Sequence, residues 1–327
     1  MTIFLDYQLK IHPLMQNQDK LKLIYQATFG PNHFISSKDE KKIYKEMLKE
    51  AKNASSDKAY YYEYISSEYV RVHLKNELNL KYLLKAFVAS QNTDELNLDI
   101  LKANLAEYLD SDEYQNYDLK PIHHSSIYNE EYHPHYRLIK AKYLNLLMRV
   151  YNLSLFLDSL PKHTITALEG KCGSGKTTIV DNLSANYTIL HSDDFFLSES
   201  AKTKERLSKV GGNINYELIY DTLSDIKKAW EENKTEVTIK TFSCKTQTYV
   251  NKQIELKDKV LIEGVYSYHP YFNHLIDKCA FLYIDEATQT ERISKREMKD
   301  RFFKEWIPLE NTYYDETEIL SICDIII

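Results

Sequence analysis

The chain has 327 residues, of which 43% are hydrophobic and 28% charged, and its formal net charge is −6 at pH 7. This length accommodates about two domains, and the composition is ordinary for a soluble globular protein. The acidic balance disfavours a broad nucleic-acid-binding surface, so we expect no nucleic-acid partner. The cysteines have no short paired spacing, which argues against a disulfide framework or a cysteine zinc site and suits a reducing cytosol; they are Cys172, Cys244, Cys279 and Cys323.

The N-terminal segment MTIFLDYQLK does not have the features of a secretory signal. It carries an acidic residue within a short apolar run and lacks a small-residue cleavage site. No apolar run in the chain approaches the ~18 residues that a membrane-spanning helix requires. We therefore predict a cytoplasmic protein with no membrane partner.

The first half of the chain has a helical pattern. Apolar residues recur at three- and four-residue spacing in the segments 17–30, 37–51, 79–90, 98–110 and 136–160. Gly30 ends the first of these, and Ser37 with Glu40 forms a capping box at the start of the second. Strand-like alternation is nearly absent. We predict an all-α domain of five to seven helices over residues 1–160, with no function assigned to it.

This half also concentrates tyrosine and histidine. The run YYYEY at 60–64 fits half-buried helix faces, because tyrosine is amphipathic. The segment 121–139 gathers His123, His124, His133 and His135 beside Tyr136 and Arg137. No acidic or cysteine partner falls at a familiar zinc spacing. We favour a loop packed by its own aromatic side chains over a phosphate- or partner-binding patch, and favour both over a zinc site.

The second half of the chain alternates between two patterns. Short β-branched or apolar runs occur at 164–168, 187–192, 236–242, 259–265, 280–285 and 324–327. Helical segments separate most of them, notably 177–185, 216–233 and 288–306. Such alternation predicts an α/β domain over residues 161–327, in which helices cover both faces of a parallel sheet. The last strand lies at the end of the sequence, so we expect its removal to damage the sheet.

A glycine-rich loop, GKCGSGKT at 170–177, follows the first of these runs and opens a helical one. It fits the phosphate-binding pattern G-x-x-x-x-G-K-[ST], whose glycines let backbone N–H groups surround phosphate oxygens. Lys176 would reach the β- and γ-phosphates, and the Thr177 hydroxyl would hold Mg²⁺. The predicted nucleotide-binding residues of this loop are Gly170, Cys172, Gly173, Ser174, Gly175, Lys176, Thr177 and Thr178.

Carboxylates follow two of the predicted strands. Asp193 and Asp194 end the run after the loop, and Glu263 ends the run 259–265. In an open parallel sheet, ligands lie beyond the carboxyl ends of the strands. One aspartate would accept the proton of an attacking hydroxyl or help to hold the metal, and Glu263 would orient Mg²⁺. The alternative interpretations are a helix cap or turn for the aspartates and a surface position for Glu263.

The segment RISKREMKD at 292–300 gives the last long helical segment a basic face. Its cations recur at three- and four-residue spacing and are Arg292, Lys295, Arg296 and Lys299. A face of this kind is often only solvated. Near a phosphate site, it would instead neutralise charge on a transferring phosphoryl group.

These segments together resemble the uridine kinase, phosphoribulokinase and pantothenate kinase group of P-loop kinases, and uridine kinase most closely. The family motif D-x-F-[YF] corresponds to 193–196, and the family's strand ending in E-G corresponds to 259–264. The lid motif R-x-x-R-R-x-x-R-D corresponds to 292–300, with lysine at two cationic positions. The segment GGNINYELIYDTL at 211–223 is similar to the family's N-F-D-H-P segment in weakened form. The resemblance covers about 162–327.

The resemblance implies an ATP- and Mg²⁺-dependent phosphotransferase that acts on a hydroxyl of a small, nucleoside-like molecule. It implies that the catalytic residues are Asp193, as the base, with Lys176 and Arg296. It adds Arg292 and Lys299 of a mobile lid to the residues that bind the nucleotide. The metal ligands that it implies are Thr177, Glu263 and Asp193.

One departure from the family concerns the acceptor. Uridine kinases carry Y-D-F-x-T-H-S-R to bind the sugar and pyrimidine, whereas this chain has TFSCKTQTY at 241–249. Phe242 and Ser243 then take the Y-D positions, and Gln247 takes the position of the base-contacting histidine. A missing charge-assisted hydrogen bond weakens recognition by roughly 1.5–3 kcal/mol, so uridine itself is not assigned as the acceptor.

Three other functions remain open. A mechanochemical or signalling ATPase could use Asp285 and Glu286, which end the run FLYIDE, to activate water. A GTPase is disfavoured because NKTE at 233–236 lacks the aspartate that recognises guanine. A kinase acting on a macromolecule such as an RNA end is disfavoured by the net negative charge. Homo-oligomer formation is left open.

Overall fold

The computed structural model describes residues 2–31, 40–53, 62–74, 80–91, 97–114, 122–183, 186–243 and 246–327. The chain divides into two compact units, Met1–Met148 and Arg149–Ile327. This division falls within the helix Leu144–Ser159, whereas the change of pattern in the sequence predicts it between 160 and 161. Within the described ranges, no helix is both long enough and apolar enough to cross a bilayer.

The N-terminal unit is mainly helical, as predicted. Its helices are α1 (Thr2–Ile11), α2 (Asn17–Phe29), α3 (Glu40–Asn53), α4 (Leu80–Ala89), α5 (Leu98–Leu105), α6 (Ser111–Tyr114), α7 (Ser126–Tyr132) and α8 (Leu144–Ser159), which continues into the second unit. Gly30 has a φ of 70° and ends α2, as predicted. Ser37 of the predicted capping box lies outside the described residues. Leu23, Ile24 and Leu101 are nearly fully buried in the core of this unit.

The same unit also contains a small sheet, which the sequence pattern does not predict. Its strands pair antiparallel in the order β1 (Tyr62–Tyr64), β2 (Tyr69–His73), β3 (Tyr136–Lys140). The helix predicted over 136–160 is therefore wrong for its first eight residues, which form β3 and a 3₁₀ turn, and the described tyrosines of 60–64 lie on a strand instead of a helix face. Aromatic and β-branched residues suit a pleated, half-buried surface, and pairing of Leu138 with Arg71 outweighs the local helical spacing.

The C-terminal unit is built on a five-stranded parallel sheet flanked by helices, as predicted. The strand order is β10-β9-β4-β8-β5. The strands of this unit are β4 (Thr164–Glu169), β5 (Thr188–His191), β6 (Glu236–Ser243), β7 (Thr248–Glu255), β8 (Lys259–Glu263), β9 (Lys278–Phe281) and β10 (Ile325–Ile326). The helices are α9 (Lys176–Asp181), α10 (Lys204–Leu207), α11 (Tyr216–Glu231), α12 (Glu286–Ser294), α13 (Lys299–Arg301), α14 (Ile307–Thr317) and α15 (Ile319–Ile322). Strand β10 pairs with β9 near the end of the sequence.

The run 236–242 does not belong to this sheet, contrary to the prediction. It forms β6, which pairs antiparallel with β7 in a separate two-stranded ribbon. Most side chains of β7 are exposed, so its sequence TYVNKQIE lacks the apolar run that marks a buried strand. Because the pattern of β7 does not mark it as a strand that pairs with β6, the sequence alone could not distinguish β6 from a strand of the parallel sheet.

The helix predicted over 288–306 is broken. Helix α12 ends at Ser294, and Met298 has a left-handed φ of 58° before α13. A π-helical turn at Phe302–Trp306 then leads into α14. The four cations of 292–300 consequently do not share one continuous helix face, because the backbone changes direction between the second and fourth of them.

Candidate active site

Three adjacent strands of the parallel sheet bring the predicted site residues to one edge. Strand β8 lies between β4 and β5, with Glu263 opposite Leu168 on one side and His191 on the other. The glycine-rich loop follows β4, and a 3₁₀ turn at Ser192–Phe195 follows β5. The loop, Glu263 and the aspartate pair therefore start from neighbouring points, as expected for the carboxyl ends of parallel strands.

The glycines of the loop have backbone conformations that other residues rarely adopt. Gly170, Gly173 and Gly175 have φ angles of 147°, 81° and 100°. A Cβ atom at Gly170 would lie 2.5 Å from the carbonyl oxygen of Leu282, so this glycine is required by close packing. At Gly175 a Cβ would meet no atom within 4 Å, so the loop borders open space just where α9 begins. This open space beside successive backbone N–H groups suits a phosphate group.

Lys176 extends across the loop. Its ammonium group donates hydrogen bonds to the carbonyl oxygens of Gly170 at 2.6 Å and Lys171 at 3.2 Å. The residue is buried and lines the cleft bordered by the loop. A cation is thus held beside the open space at Gly175, where it can compensate phosphate charge.

Glu263 forms the centre of a small polar network. Its Oε1 accepts hydrogen bonds from the Thr177 hydroxyl at 3.0 Å and from His191 Nδ1 at 2.8 Å. The hydrogen bond to Glu263 raises the pKa of His191 although burial opposes it, and the charges of Glu263 and Asp194 also raise this pKa. A buried carboxylate beside a threonine hydroxyl is a pair of oxygen donors of the kind that Mg²⁺ prefers. The donor set therefore fits the implied metal, with Asp193 as a third oxygen donor in the same cleft.

Asp193 faces this network from the turn after β5. Its side chain is exposed to the cleft, yet the surrounding protein limits hydration of its carboxylate. That loss of hydration and the charge of Glu263 raise the pKa of Asp193, while Lys176 and His191 act in the opposite direction. A carboxylate with a raised pKa is a stronger proton acceptor than an ordinary aspartate.

A cleft of about 210 Å³ joins these groups. The predicted site residues that line it are Cys172, Gly173, Gly175, Lys176, Thr177, Thr178, Asp193, Glu263 and Arg296. Gly170, Ser174, Arg292 and Lys299 are absent from the described lining. The Ser174 side chain is buried, and its hydroxyl has no hydrogen-bond partner within the described ranges.

The four cations of the predicted basic face have different positions. Arg292 donates to the carbonyl oxygens of Gly173 at 2.9 Å and Ser174 at 3.3 Å, so it contacts the loop. Arg296 lines the cleft, with its guanidinium 5.5 Å from the centre of the Phe302 ring. Lys295 pairs with Glu291 on the exposed surface, and Lys299 is exposed outside the cleft lining. Only two of the four, Arg292 and Arg296, therefore reach the loop or the cleft.

Several residues of the site lie outside the sequence motifs. Glu310 of α14 is buried, lines the cleft and accepts a hydrogen bond from Cys172 N at 3.0 Å. Burial raises the pKa of Glu310, although the Cys172 N–H and Lys176 oppose this. Tyr314 of the same helix accepts from Gly170 N at 3.2 Å. No local pattern identifies these residues, since α14 begins after the predicted lid.

The cleft also has an aromatic wall and a buried amide whose residues were not among the predicted site residues. The additional lining residues include Phe196, Asn213, Tyr266, Phe302 and Trp306. Asn213 is 7% exposed, and its Oδ1 receives no hydrogen bond within the described part of the chain. A buried carbonyl oxygen without a donor is costly unless a ligand or water supplies one. The weakened N-F-D-H-P segment contains this residue.

The acids of the ATPase alternative and the residues at the family's acceptor-binding positions lie outside the described lining of the cleft. Asp285 caps α12, because its carboxylate accepts from Thr288 N at 2.8 Å and from the Thr288 hydroxyl at 2.7 Å. Glu286 is exposed at the start of that helix, and neither acid lines the cleft among the described residues. The cap explains Asp285 without a role in activating water. Phe242, Ser243 and Gln247 lie in the β6–β7 ribbon and are likewise absent from the described lining.

In the histidine-rich segment 121–139 of the N-terminal unit, hydrogen bonds and ring stacking hold His124 in place. His124 bonds Asp19 Oδ1 through Nδ1 at 3.1 Å and the Tyr136 hydroxyl through Nε2 at 2.9 Å. Its ring stacks on Tyr128 at a centroid distance of 4.2 Å. In the described ranges, no group of three or more histidine, cysteine, aspartate or glutamate side chains could hold a metal ion.

Comparison with solved structures finds similar folds over about half of the chain. A possible uridine kinase from Bacillus stearothermophilus is 17% identical, with a TM-score of 0.45, and the match covers 56% of this chain and 98% of that one. A protein described as a fructose transport system kinase from Silicibacter sp. TM1040 is 15% identical, with a TM-score of 0.40, and again 56% and 98% are covered. No protein-family model matches the chain. No curated protein matches it either.

Proposed function

We propose that this protein transfers the γ-phosphate of ATP to a hydroxyl group of a small, nucleoside-like molecule, with Mg²⁺ as cofactor. The observation that carries the proposal is the position of Asp193. Its carboxylate lies in the same cleft as Lys176, Thr177 and Glu263, and its pKa is raised. Phosphoryl transfer to an alcohol requires this combination of a phosphate cradle and a facing base.

Each residue of the site has a separate role in the proposed reaction. Asp193 accepts the proton of the acceptor hydroxyl as the oxygen of that hydroxyl forms a bond to the γ-phosphorus. The bond from phosphorus to the β,γ-bridging oxygen breaks, and ADP leaves with the electron pair. Lys176 and Arg296 stabilise the negative charge on the transferring group. Thr177 and Glu263, with Asp193, would hold Mg²⁺, which supplies further charge neutralisation when bound.

The walls of the cleft support a ring-containing acceptor. Phe196, Tyr266 and Trp306 present aromatic surface, on which a flat base or sugar face can pack. Asn213 offers an amide oxygen that lacks a donor among the described residues. An acceptor with an N–H or O–H group near its reacting hydroxyl would satisfy this oxygen. The uridine-specific residues of the family are replaced, so the acceptor class is proposed without naming one compound.

The proposal is tested by transfer of labelled γ-phosphate from ATP to a panel of nucleosides, sugars and vitamins. We expect a labelled product with at least one ring-containing alcohol, and none with a Lys176→Ala variant. If ATP binds but no member of a broad panel is labelled, the proposal fails.

An ATPase is the competing function, and the same assay distinguishes it. Hydrolysis without acceptor that survives Asp193→Asn but collapses on Glu286→Gln would favour the ATPase. We expect the opposite dependence, because Glu286 lies outside the described lining of the cleft. A cytoplasmic location stays a prediction from the cysteine pattern.

A further inference from the structure

Glu310 places a carboxylate in the cleft that the glycine-rich loop borders. It lies on α14, after the segment that resembles the family's lid, and belongs to no sequence motif. Glu310 is 4% exposed and lines the same cleft as Gly175, Lys176 and Asp193. Burying a carboxylate is costly unless hydrogen bonds and opposite charge compensate it. The groups that compensate Glu310 therefore indicate what this part of the cleft is suited to hold.

The contacts of Glu310 are those expected for a phosphate oxygen. Its Oε2 accepts a hydrogen bond from Cys172 N at 3.0 Å. That N–H group belongs to the glycine-rich loop, and in loops of this pattern the backbone donors surround phosphate oxygens. Burial raises the pKa of Glu310, whereas the Cys172 N–H and the positive charges of Lys176 and Lys171 lower it. Glu310 thus uses a donor and the cations that the same loop would offer to a phosphate.

Helix α14 is held beside the loop by contacts that do not involve Glu310. Tyr313 and Tyr314 donate hydrogen bonds of 2.8 and 3.0 Å to Glu169, which is fully buried at the end of β4. The Tyr314 hydroxyl also accepts from Gly170 N at 3.2 Å. The Glu310 side chain can therefore rotate away from the loop, into the adjoining cleft, while α14 stays in place.

We propose that the Glu310 carboxylate occupies a phosphate position of the glycine-rich loop, and that a bound polyphosphate displaces it. A phosphate oxygen then takes over the Cys172 N–H, and the Glu310 side chain rotates into the cleft. Two negative groups beside one donor and one cation repel each other, so Glu310 lowers the affinity of the loop for phosphate. This inference rests on the proposed function only in requiring that the loop binds phosphate.

The test compares the binding of inorganic triphosphate, without Mg²⁺, by the full chain and by Glu310→Gln. Glutamine keeps an acceptor for the Cys172 N–H but removes the negative charge, so the loop should keep its conformation. Calorimetry gives the affinity, and we expect the variant to bind triphosphate about tenfold more tightly or better. Glu316→Gln, an exposed position of α14 outside the described lining of the cleft, removes the same charge and should change the affinity by less than about twofold.

A local signal separates the loop from any other anion-binding surface. The chain has four cysteines, so selective ¹⁵N labelling gives four cysteine amide resonances, and a Cys172→Ala variant identifies that of Cys172. Triphosphate should shift this resonance in the parent chain and in Glu310→Gln, at lower concentration in the variant. Glu310→Asp, which shortens the side chain by one methylene, should also gain affinity, though less than Glu310→Gln.

Equal or weaker binding of triphosphate by a folded Glu310→Gln protein would overturn this inference and leave the proposed phosphotransfer untouched. So would an equal gain of affinity in Glu316→Gln, because net charge alone would then explain the result. If Glu310→Gln does not fold, unchanged affinity in Glu310→Asp has the same meaning. Absence of binding and of any Cys172 shift in every protein would show that the loop is not a phosphate site, and the proposed function would fail together with this inference.

Discussion

Two polar sites of the molecule, one in each unit, differ in how the chain assembles them. In the C-terminal unit, Lys176, Asp193 and Glu263 each follow or end a strand of one parallel sheet. In the N-terminal unit, the cluster around Gln26 takes Arg71 and Tyr136 from two strands of an antiparallel sheet and Gln26 itself from a helix. The first site is gathered by the topology of a parallel sheet, and the second by packing between elements distant in sequence.

The difference explains why one site is visible in the sequence and the other is not. The carboxyl ends of neighbouring parallel strands always meet at one edge, so short motifs after each strand suffice to predict a site. A buried guanidinium such as Arg71 gives no local signal, because YVRVH resembles any short strand. We therefore expect substitutions in the first site to reduce catalytic activity. Substitutions in the second site should instead change the stability of the fold.

The largest effect is expected for Lys176→Ala. Loss of the ammonium group should lower kcat by about 10³ and weaken ATP binding at least about tenfold, or roughly 10⁴ in kcat/KM. Steady-state phosphotransfer and calorimetric titration of ATP measure the two parts. Lys171→Met is the matched control, since its Nζ bonds Asn311 of α14. Equal losses in both variants would show that the loop is only perturbed structurally.

Asp193→Asn should lower kcat by roughly 10²–10⁴ because the proton acceptor is removed, while binding of ATP measured without Mg²⁺ stays unchanged. Single-turnover transfer and ATP titration separate the two quantities. Asp194→Asn, the neighbouring residue outside the described cleft lining, is the control and should retain most activity. An active Asp193→Asn enzyme would exclude this residue as the base.

Asp19→Asn tests the other side of the comparison. Asp19 accepts hydrogen bonds from Ser125 N at 2.9 Å and from the Ser125 hydroxyl at 2.6 Å. Replacing the carboxylate should reduce the free energy of local unfolding by about 2–3 kcal/mol, measured by hydrogen exchange of the Ser125 amide. The exposed Asp112→Asn should leave that exchange rate unchanged. Unaltered protection in Asp19→Asn would contradict a structural role.

The same substitution should change the acid stability of this unit. Burial opposes ionisation of Asp19, but its hydrogen bonds from Ser125, Gln16 and His124 outweigh burial and lower its pKa. A depressed carboxylate pKa stabilises the fold above the unfolded value, about 3.9, and this stability is lost as the pH falls through the folded pKa. Asp19→Asn should therefore be less acid-sensitive below about pH 4 than the parent chain, as measured by exchange against pH.

The smallest effect concerns the acid limb of the activity profile. Asp193 must be ionised to accept a proton, so activity should fall as the pH falls through its raised pKa, above the usual value of about 3.9. His191 is protonated in this range and lowers the pKa of Asp193. His191→Asn should move the limb upward by less than about one pH unit. A limb unmoved in both His191→Asn and Asp193→Asn would assign it to another group.

Much of the C-terminal unit could be predicted because its signals are local. The loop and each strand end occupy fewer than about ten residues, the strand–helix alternation is made of short runs, and the parallel topology brings the strand ends together. Strand β6 was mistaken for a strand of the parallel sheet, and its partner β7 was missed because exposed side chains on both faces leave no pattern of burial. Glu310 was missed because nothing near it in sequence indicates that its side chain reaches the cleft, whereas Asn213 lies in the weakened N-F-D-H-P segment, to which no site residue was assigned.

The N-terminal unit was predicted less completely for a related reason. The helical spacing of α2 and α4 is strong, and both were predicted within about one residue of their ends. The strand Tyr136–Lys140 is stabilised by pairing with β2, so its own five residues could not distinguish it from the start of α8. Tertiary pairing overrides local preference most easily in short elements.

The central claim is that the glycine-rich loop and Asp193 act on the two ends of one transferring phosphate. It is tested most directly by a crystal structure with Mg²⁺, a non-hydrolysable ATP analogue and an acceptor identified in the labelling panel. We expect the triphosphate along the loop at Gly175 and Lys176, with the acceptor hydroxyl between the γ-phosphate and the Asp193 carboxylate, at hydrogen-bonding distance from the latter. A triphosphate bound elsewhere, or an Asp193 carboxylate turned away from the acceptor, would contradict the account.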